Sequence, residues 1–247
     1  MGKLLTEGKA NAKLAKSGAS GEWYTVSLFM APHTMNDLGV NLCPFASKEC
    51  IATCLNTAGR AAMFPDIIKA RIRKANEFLS DRVSFVERLK KEIANAEKRA
   101  QKHGLKLCVR LNGTTDIDWP ESIFLSFPNV VFYDYTKSHY RMAKYLRGAL
   151  PSNYNLTFSY SGENITQALG VLNAGGNVAV VFDSPNFPKE WQGYNVVNGD
   201  NSDLRFLDPK AGAYEGGNVV ALKAKGKAKK LNAGGFVQLT QIERRAA

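Results

Sequence analysis

The sequence predicts a single α/β domain over residues 1–247, built on parallel strands as a complete or partial (β/α) barrel. Three observations lead there. Short apolar runs alternate with segments of helical periodicity along most of the chain, as in consecutive βαβ units. Several runs are nearly continuously apolar, as strands covered on both faces must be. Acids, amides and hydroxyls follow almost every run, where the ligand-facing ends of parallel strands lie. An open doubly wound sheet is the alternative arrangement of the same units.

Residues 1–21 are polar, rich in Gly and Lys, and read as a basic N-terminal arm. EWYTVSLFMAP (22–32) is the first strand, aromatic and β-branched with a Pro stop, and the cysteine loop 41–60 follows it. FPDIIKARIRKANEFLSD (64–81) predicts a helix with Pro65 in its first turn. In 81–104, Val83, Val86, Leu89, Ile93 and Ala96 recur at three or four residues, His103 caps the C-terminus and Gly104 closes the helix. LKLCVRLNG, NVVFYDYT, NYNLTFSYSG and GNVAVVFD are four further strands. WPESIFLSF, SHYRMAKYLRGAL, ENITQALGVLNAG and PNFPKEW are helical or loop segments between and after them. YNVVNGDNSDLRFLDP and GNVVALKAKG supply two more strands.

The chain is 45% apolar and 22% charged, with no apolar run near the roughly 18 residues of a membrane span. Its start has no apolar stretch typical of a signal peptide, so the expectation is a cytoplasmic protein with no membrane partner. The net charge of +11 favours polyanionic partners, nucleic acid among them. KAKGKAKK (223–230) carries five lysines and no acid, as a solvated basic loop or a nucleic-acid contact.

In KLCVRLN the side chains alternate, so Cys108, Arg110 and Asn112 share one face. A buried Arg needs an anion, so Arg110 either grips a substrate carboxylate or phosphate or forms an internal ion pair with a strand-end acid. With the strand-end residues Asn112, Asp116, Asp134 and Lys137, it makes the predicted pocket for a small-molecule ligand. A reading in which Asp116, Asp134, Asp183 and Asp203 bind Mg²⁺ in a hydrolase is a rival.

Cys43, Cys50 and Cys54 follow the first strand with spacing C-x6-C-x3-C. The paired spacing of structural zinc is missing, although zinc with His33 or Cys108 as fourth ligand stays open. Three thiolates fit an iron–sulfur cluster, 4Fe-4S with one iron differently ligated or 3Fe-4S. Inert buried thiols and a nucleophilic cysteine are further alternatives. The placement is similar to that of radical S-adenosylmethionine enzymes, where three cysteines follow the first strand of a partial barrel; that similarity implies S-adenosylmethionine as a cofactor. The usual C-x3-C-x2-C spacing and the Gly-Gly-Glu-like motif are absent here.

A second resemblance is closer. Asn11, Lys13 and Leu14, then a strand, then Cys43, Pro44, Cys50, Cys54 and Arg60 resemble the pattern of the phage gene product eighty-eight family, with Leu55–Asn56 where a Tyr-Ala pair is common. That resemblance implies a phage protein acting in the infected host's cytoplasm, and no settled activity. The expectation is thus an iron–sulfur protein at the mouth of an α/β barrel, supporting redox or radical-type chemistry on a small ligand. The alternative is a nucleic-acid-binding protein with a structural metal.

Overall fold

The computed structural model describes residues 2–8, 21–209, 216–231 and 235–240. Its frame is a ten-stranded, mostly parallel sheet: β1 (Leu5–Glu7), β2 (Trp23–Leu28), β3 (Lys106–Arg110), β4 (Val131–Thr136), β5 (Tyr154–Ser159), β6 (Val178–Phe182), β7 (Glu190–Trp191), β8 (Tyr194–Asn198), β9 (Val219–Lys223) and β10 (Val237–Gln238). The spatial order is β1-β2-β3-β4-β5-β6-β9-β8-β7, with β10 added beside β6. Strands β2 to β6 are laid down in sequence, each parallel to the last. That succession suits a barrel, but beyond β6 the order turns back through β9, β8 and β7. The sheet does not close, however. β1 and β7 stand at its two ends, and each pairs antiparallel with its neighbour. The expected complete or partial (β/α) barrel is therefore cut back to an open, mostly parallel α/β sheet.

Helices supply the crossovers. The cysteine loop contains α1 (Lys48–Ala52) and α2 (Arg60–Met63). Next come α3 (Pro65–Ser80), with Pro at its start, and α4 (Arg82–Lys102), capped by the Asp81 side chain and ended by His103. α5 (Glu121–Leu125), α6 (His139–Leu146) and α7 (Ile165–Asn173) connect β3 through β6. α4 buries Phe85, Val86, Leu89, Ile93, Ala96 and Ala100. Val83, expected in that stripe, is 76% exposed, and Phe85 takes the inward position. The helix layer and the strand residues Val26, Leu28, Leu107, Val109, Phe132, Leu156, Phe158, Val180 and Ala221 form the main core.

Alternation sends the other strand residues to the opposite face. There Trp23, Cys108 and Tyr133 meet Leu204, delivered by the segment after β8. That segment, expected to extend a strand, instead folds over the sheet as a 3₁₀ turn, Arg205–Leu207. The arm expectation also needs correction within 2–8. Leu4 and Leu5 are buried and β1 pairs with β2; residues 9–20 lie outside the described residues.

Two strand pairs separate at their carboxyl ends. β3 and β4 share only two registered positions, Cys108 with Val131 and Val109 with Phe132. β5 and β6 pair only at Phe158–Val178 and Ser159–Ala179, and β10 takes the place beside Val181 and Phe182. Gly162, at φ +88, lets the turn after β5 pass against the 235–236 backbone, where a Cβ would lie 2.6 Å from the Phe236 nitrogen.

Candidate functional site

The residues expected to line one pocket divide between the two faces of the sheet. Asn112 fills the gap where β3 and β4 diverge. Its backbone N–H and Nδ2 donate to Asp134 (2.7 and 3.2 Å), and Nδ2 also donates to the Ile117 carbonyl (3.0 Å). Its Oδ1 accepts from Thr115 Oγ1, Ile117 N and Trp119 Nε1. Asp134 also accepts from the Tyr154 hydroxyl at 3.2 Å, and burial pushes its pKa up to about 6 despite the nearby Arg141. Asp116 accepts from Thr136 Oγ1 (2.9 Å), Lys137 N (2.8 Å) and Arg141 Nη1 (2.7 Å). Asn112, Asp116 and Asp134 thus spend their hydrogen-bonding capacity within the protein, pinning the loop after β3 to β4 and α6.

Arg110 points to the opposite face, with Cys108 and away from Asn112, so the face expected to hold all three breaks after β3, and there Arg110 meets Asp203. Its Nη1 donates to Asp203 Oδ2 at 3.0 Å, and its guanidinium lies 4.6 Å from the Tyr135 ring centre. Asp203 is buried and also accepts from the Tyr133 and Tyr135 hydroxyls at 3.4 Å. Burial alone would lower the Arg110 pKa, but the Asp203 carboxylate outweighs it and holds the guanidinium above its ordinary value. Of the two roles the sequence leaves open for Arg110, the internal ion pair is the one formed. The four acids of the Mg²⁺ reading are likewise dispersed. Asp116 and Asp134 belong to the Asn112 network, Asp203 faces Arg110, and Asp183 accepts from Thr240 N.

The cysteine expectation is overturned. Among the described residues, no group of three or more His, Cys, Asp or Glu side chains could hold a metal ion. All four cysteines are free, and Cys108 is buried on the sheet. The three loop thiols are occupied separately. Cys43 Sγ accepts from His33 N (3.4 Å) and lies 3.7 Å from the Thr114 carbonyl it can donate to. Cys54 caps the 3₁₀ turn Leu55–Thr57, accepting from Asn56 N at 3.5 Å. Cys50 lies within hydrogen-bonding reach of the half-buried Lys137, whose pKa burial would lower but the Cys50 and Asp116 charges raise. Burial pushes the Cys43 thiol up to about 12 and raises Cys54 too, so both carry their proton in the free protein. The residues do not fit an iron–sulfur cluster or a zinc ion held by Cys43, Cys50 and Cys54. The likeness to radical S-adenosylmethionine enzymes ends at the position of the loop.

What the cysteine loop does build is a surface. It leaves the carboxyl end of β2 and crosses the strand ends. The Ser47 hydroxyl donates to the Ser161 carbonyl after β5 (2.8 Å), and the Glu49 carboxylate accepts from Phe236 N before β10 (2.6 Å). At its far end Ala58 abuts Gly226, which opens the 3₁₀ turn Gly226–Lys230 after β9. On that turn Ala228 packs inward while Lys227, Lys229 and Lys230 are exposed.

A family model described as Gene product 88 matches residues 3–238. The chain belongs to the Gene product 88 family, a family of phage proteins. No curated protein and no solved structure matches the chain. Of the positions that resemble the Gene product 88 pattern, Asn11, Lys13 and Leu14 lie outside the described residues, and Cys43 to Arg60 span the loop just described. No helix among the described residues is long and apolar enough to cross a membrane.

Sequence reasoning did not find the aromatic group of this Gene product 88 protein. Phe45, in the loop, lies 5.8 Å from the His139 ring centre and 6.1 Å from that of Tyr140, and the last two rings are 3.9 Å apart. The signal was available: Pro44–Phe45 in a polar loop, and His139–Tyr140 directly after a strand end, are aromatic residues without an apolar period to bury them.

Proposed function

We propose that this protein binds nucleic acid in the cytoplasm of the infected host, through the surface its strands present at their carboxyl ends. The observation that carries this reading is the exposed Gly226–Lys230 turn, whose three outward lysines sit beside the loop bearing Lys48 and Arg60. The segments 43–60, 137–140 and 223–230, each following a parallel strand, hold eight Lys and Arg residues against one acid, Glu49. Glu49 accepts from the Phe236 backbone, so its charge is committed to tethering the loop. Basic side chains gathered on one face match a phosphate backbone, whose neutralisation releases counterions. A pocket enzyme acting on a small ligand is less well supported, because Arg110 is paired with Asp203, Asn112 donates to Asp134 and Asp116 accepts from Arg141.

The test is binding as a function of salt. Labelled oligonucleotides should bind with log affinity falling linearly in log salt concentration. A variant with Lys227→Gln, Lys229→Gln and Lys230→Gln should bind more weakly and lose about two to three units of slope, at roughly 0.7–0.9 per phosphate contact. Absence of salt-sensitive binding at low ionic strength would overturn the reading.

A further inference from the structure

Of the twelve exposed large hydrophobic residues among those described, seven lie in residues 38–64: Leu38, Val40, Phe45, Ile51, Leu55, Met63 and Phe64. An eighth, Tyr140, is 66% exposed and joins Phe45 and His139 in the aromatic group. A surface that gathers apolar side chains in this way marks a contact site. Its chemistry narrows the partner. The three rings come from two separate segments, the loop after β2 and the start of α6, and hold one another in place while Phe45 and Tyr140 stay exposed and His139 is half-buried. The exposed charges within residues 38–64, Lys48 and Arg60, and those of the neighbouring turn, Lys227, Lys229 and Lys230, are all positive, and the exposed Asp66 just beyond pairs with Lys69. Residues 38–64 contain a single acid, Glu49, which is engaged by the Phe236 backbone. An acidic protein surface would satisfy the lysines and leave the rings unused, whereas a duplex would offer phosphates but keep its base faces stacked on each other.

We infer that the Phe45–His139–Tyr140 group is a base-stacking platform, and that the nucleic acid bound here is single-stranded. Unpaired bases stack on the aromatic faces while the backbone runs along the cysteine loop toward the Gly226–Lys230 turn. The arrangement combines aromatic faces with a positively charged track, which is how sequence-tolerant single-strand binders work. This inference rests on the proposed nucleic-acid binding and adds the strandedness and the residues that select it.

The experiment compares oligo-thymidylate, oligo-uridylate and a mixed-sequence duplex of equal length, each titrated with wild type, Phe45→Ala, Tyr140→Ala, Tyr140→Phe and the triple lysine variant. Wild type should prefer the single strands at equal salt. Each alanine variant should weaken single-strand binding by about 5- to 100-fold, with the salt slope and duplex binding unchanged, and Tyr140→Phe should retain affinity. The thymidylate and uridylate arms show whether DNA or RNA is the preferred strand. Circular dichroism verifies the fold, and the exposed Tyr140 is the substitution least able to disturb it. If the lysine variant lowers the slope but the alanine variants bind single strands as wild type does, the platform is wrong and nucleic-acid binding stands. Equal weakening of single strands and duplex also overturns the platform. No salt-sensitive binding to any of the three removes both readings. Self-association in sedimentation that Tyr140→Ala abolishes while nucleic-acid affinity stays at wild-type level overturns the platform alone, because the rings then pair with a second copy.

Discussion

Asp134 shows how a side chain that reads as a ligand group becomes a structural one. The sequence places it at a strand end, and strand ends carry ligands in parallel α/β folds. Alternation along β4 puts it on the same face as Phe132 and Thr136, under the helices, while Tyr133 and Tyr135 face Asp203. The buried carboxyl titrates near 6 in the folded protein and near 3.8 when exposed. Between those values the folded state binds more protons than the unfolded state, so the stability attributable to Asp134 falls as pH rises through that window. Wild type should therefore lose on the order of 3 kcal/mol relative to an Asp134→Asn variant across it, read by urea denaturation at several pH values. Parallel stability curves for the two proteins would show that the carboxyl does not titrate there. The same reasoning separates what could be read beforehand from what could not. The orientation of Arg110 follows from period-two alternation, which is local. Its partner Asp203 is 93 residues away, and no local pattern specifies which acid of several will arrive. The cysteines failed for a related reason: spacing limits which thiols can converge but does not decide which backbone donors each thiol meets.

At the scale of elements, β2 to β6, β8 and β9 and the helices α3 to α7 all follow from apolar runs and periodicity. The three strands that were missed, β1, β7 and β10, have three, two and two residues, too short to carry a period. They exist because of contacts distant in sequence. For β1 these contacts come from α3 and α4. The Glu92 carboxylate accepts from Leu4 N (2.9 and 3.0 Å) and Leu5 N (2.9 Å), and the Lys74 ammonium donates to the Leu4 carbonyl at 2.6 Å. Charge-assisted bonds to otherwise unpaired backbone groups are stronger than neutral ones. Replacing Glu92 with Ala should cost about 2 kcal/mol and raise hydrogen exchange at Leu5–Glu7, leaving β3 to β5 protected. Exchange that rises equally in β4 would mean that β1 is integral to the whole sheet and that Glu92 does not act as a local clamp.

For the whole molecule, the open sheet and the charge distribution belong to one argument. A closed barrel would bury the inner face inside a ring of strands. Here Leu204 and the Arg205–Leu207 turn cover part of that face, and the cysteine loop with residues 226–231 and 235–238 covers the carboxyl ends. The polar interior that a barrel enzyme keeps open is occupied by the protein's own Arg110–Asp203 pair. The surface left for a partner is the outside of that cover, and it is basic. Clustering like charges there works against folding in the absence of a partner, because the net charge of +11 includes the five lysines of 223–230, of which only Lys225 has an acid partner among the described residues, Asp200. Added salt screens such repulsion over about 8–10 Å at physiological strength. Raising ionic strength from low to physiological should therefore raise the melting temperature of the free protein. The variant with Lys227, Lys229 and Lys230 changed to Gln, net charge +8 by removal of three of the eleven, should be at least as stable at low salt and respond less to added salt. Single-stranded oligonucleotide should stabilise wild type further at low salt by mass action and lose that effect as salt is added. A wild-type melting temperature that falls with salt, in parallel with the variant's, would instead mean that surface ion pairs such as Arg88–Glu77 and Arg73–Glu77 outweigh the lysine cluster, and that the basic face imposes no cost for a partner to relieve.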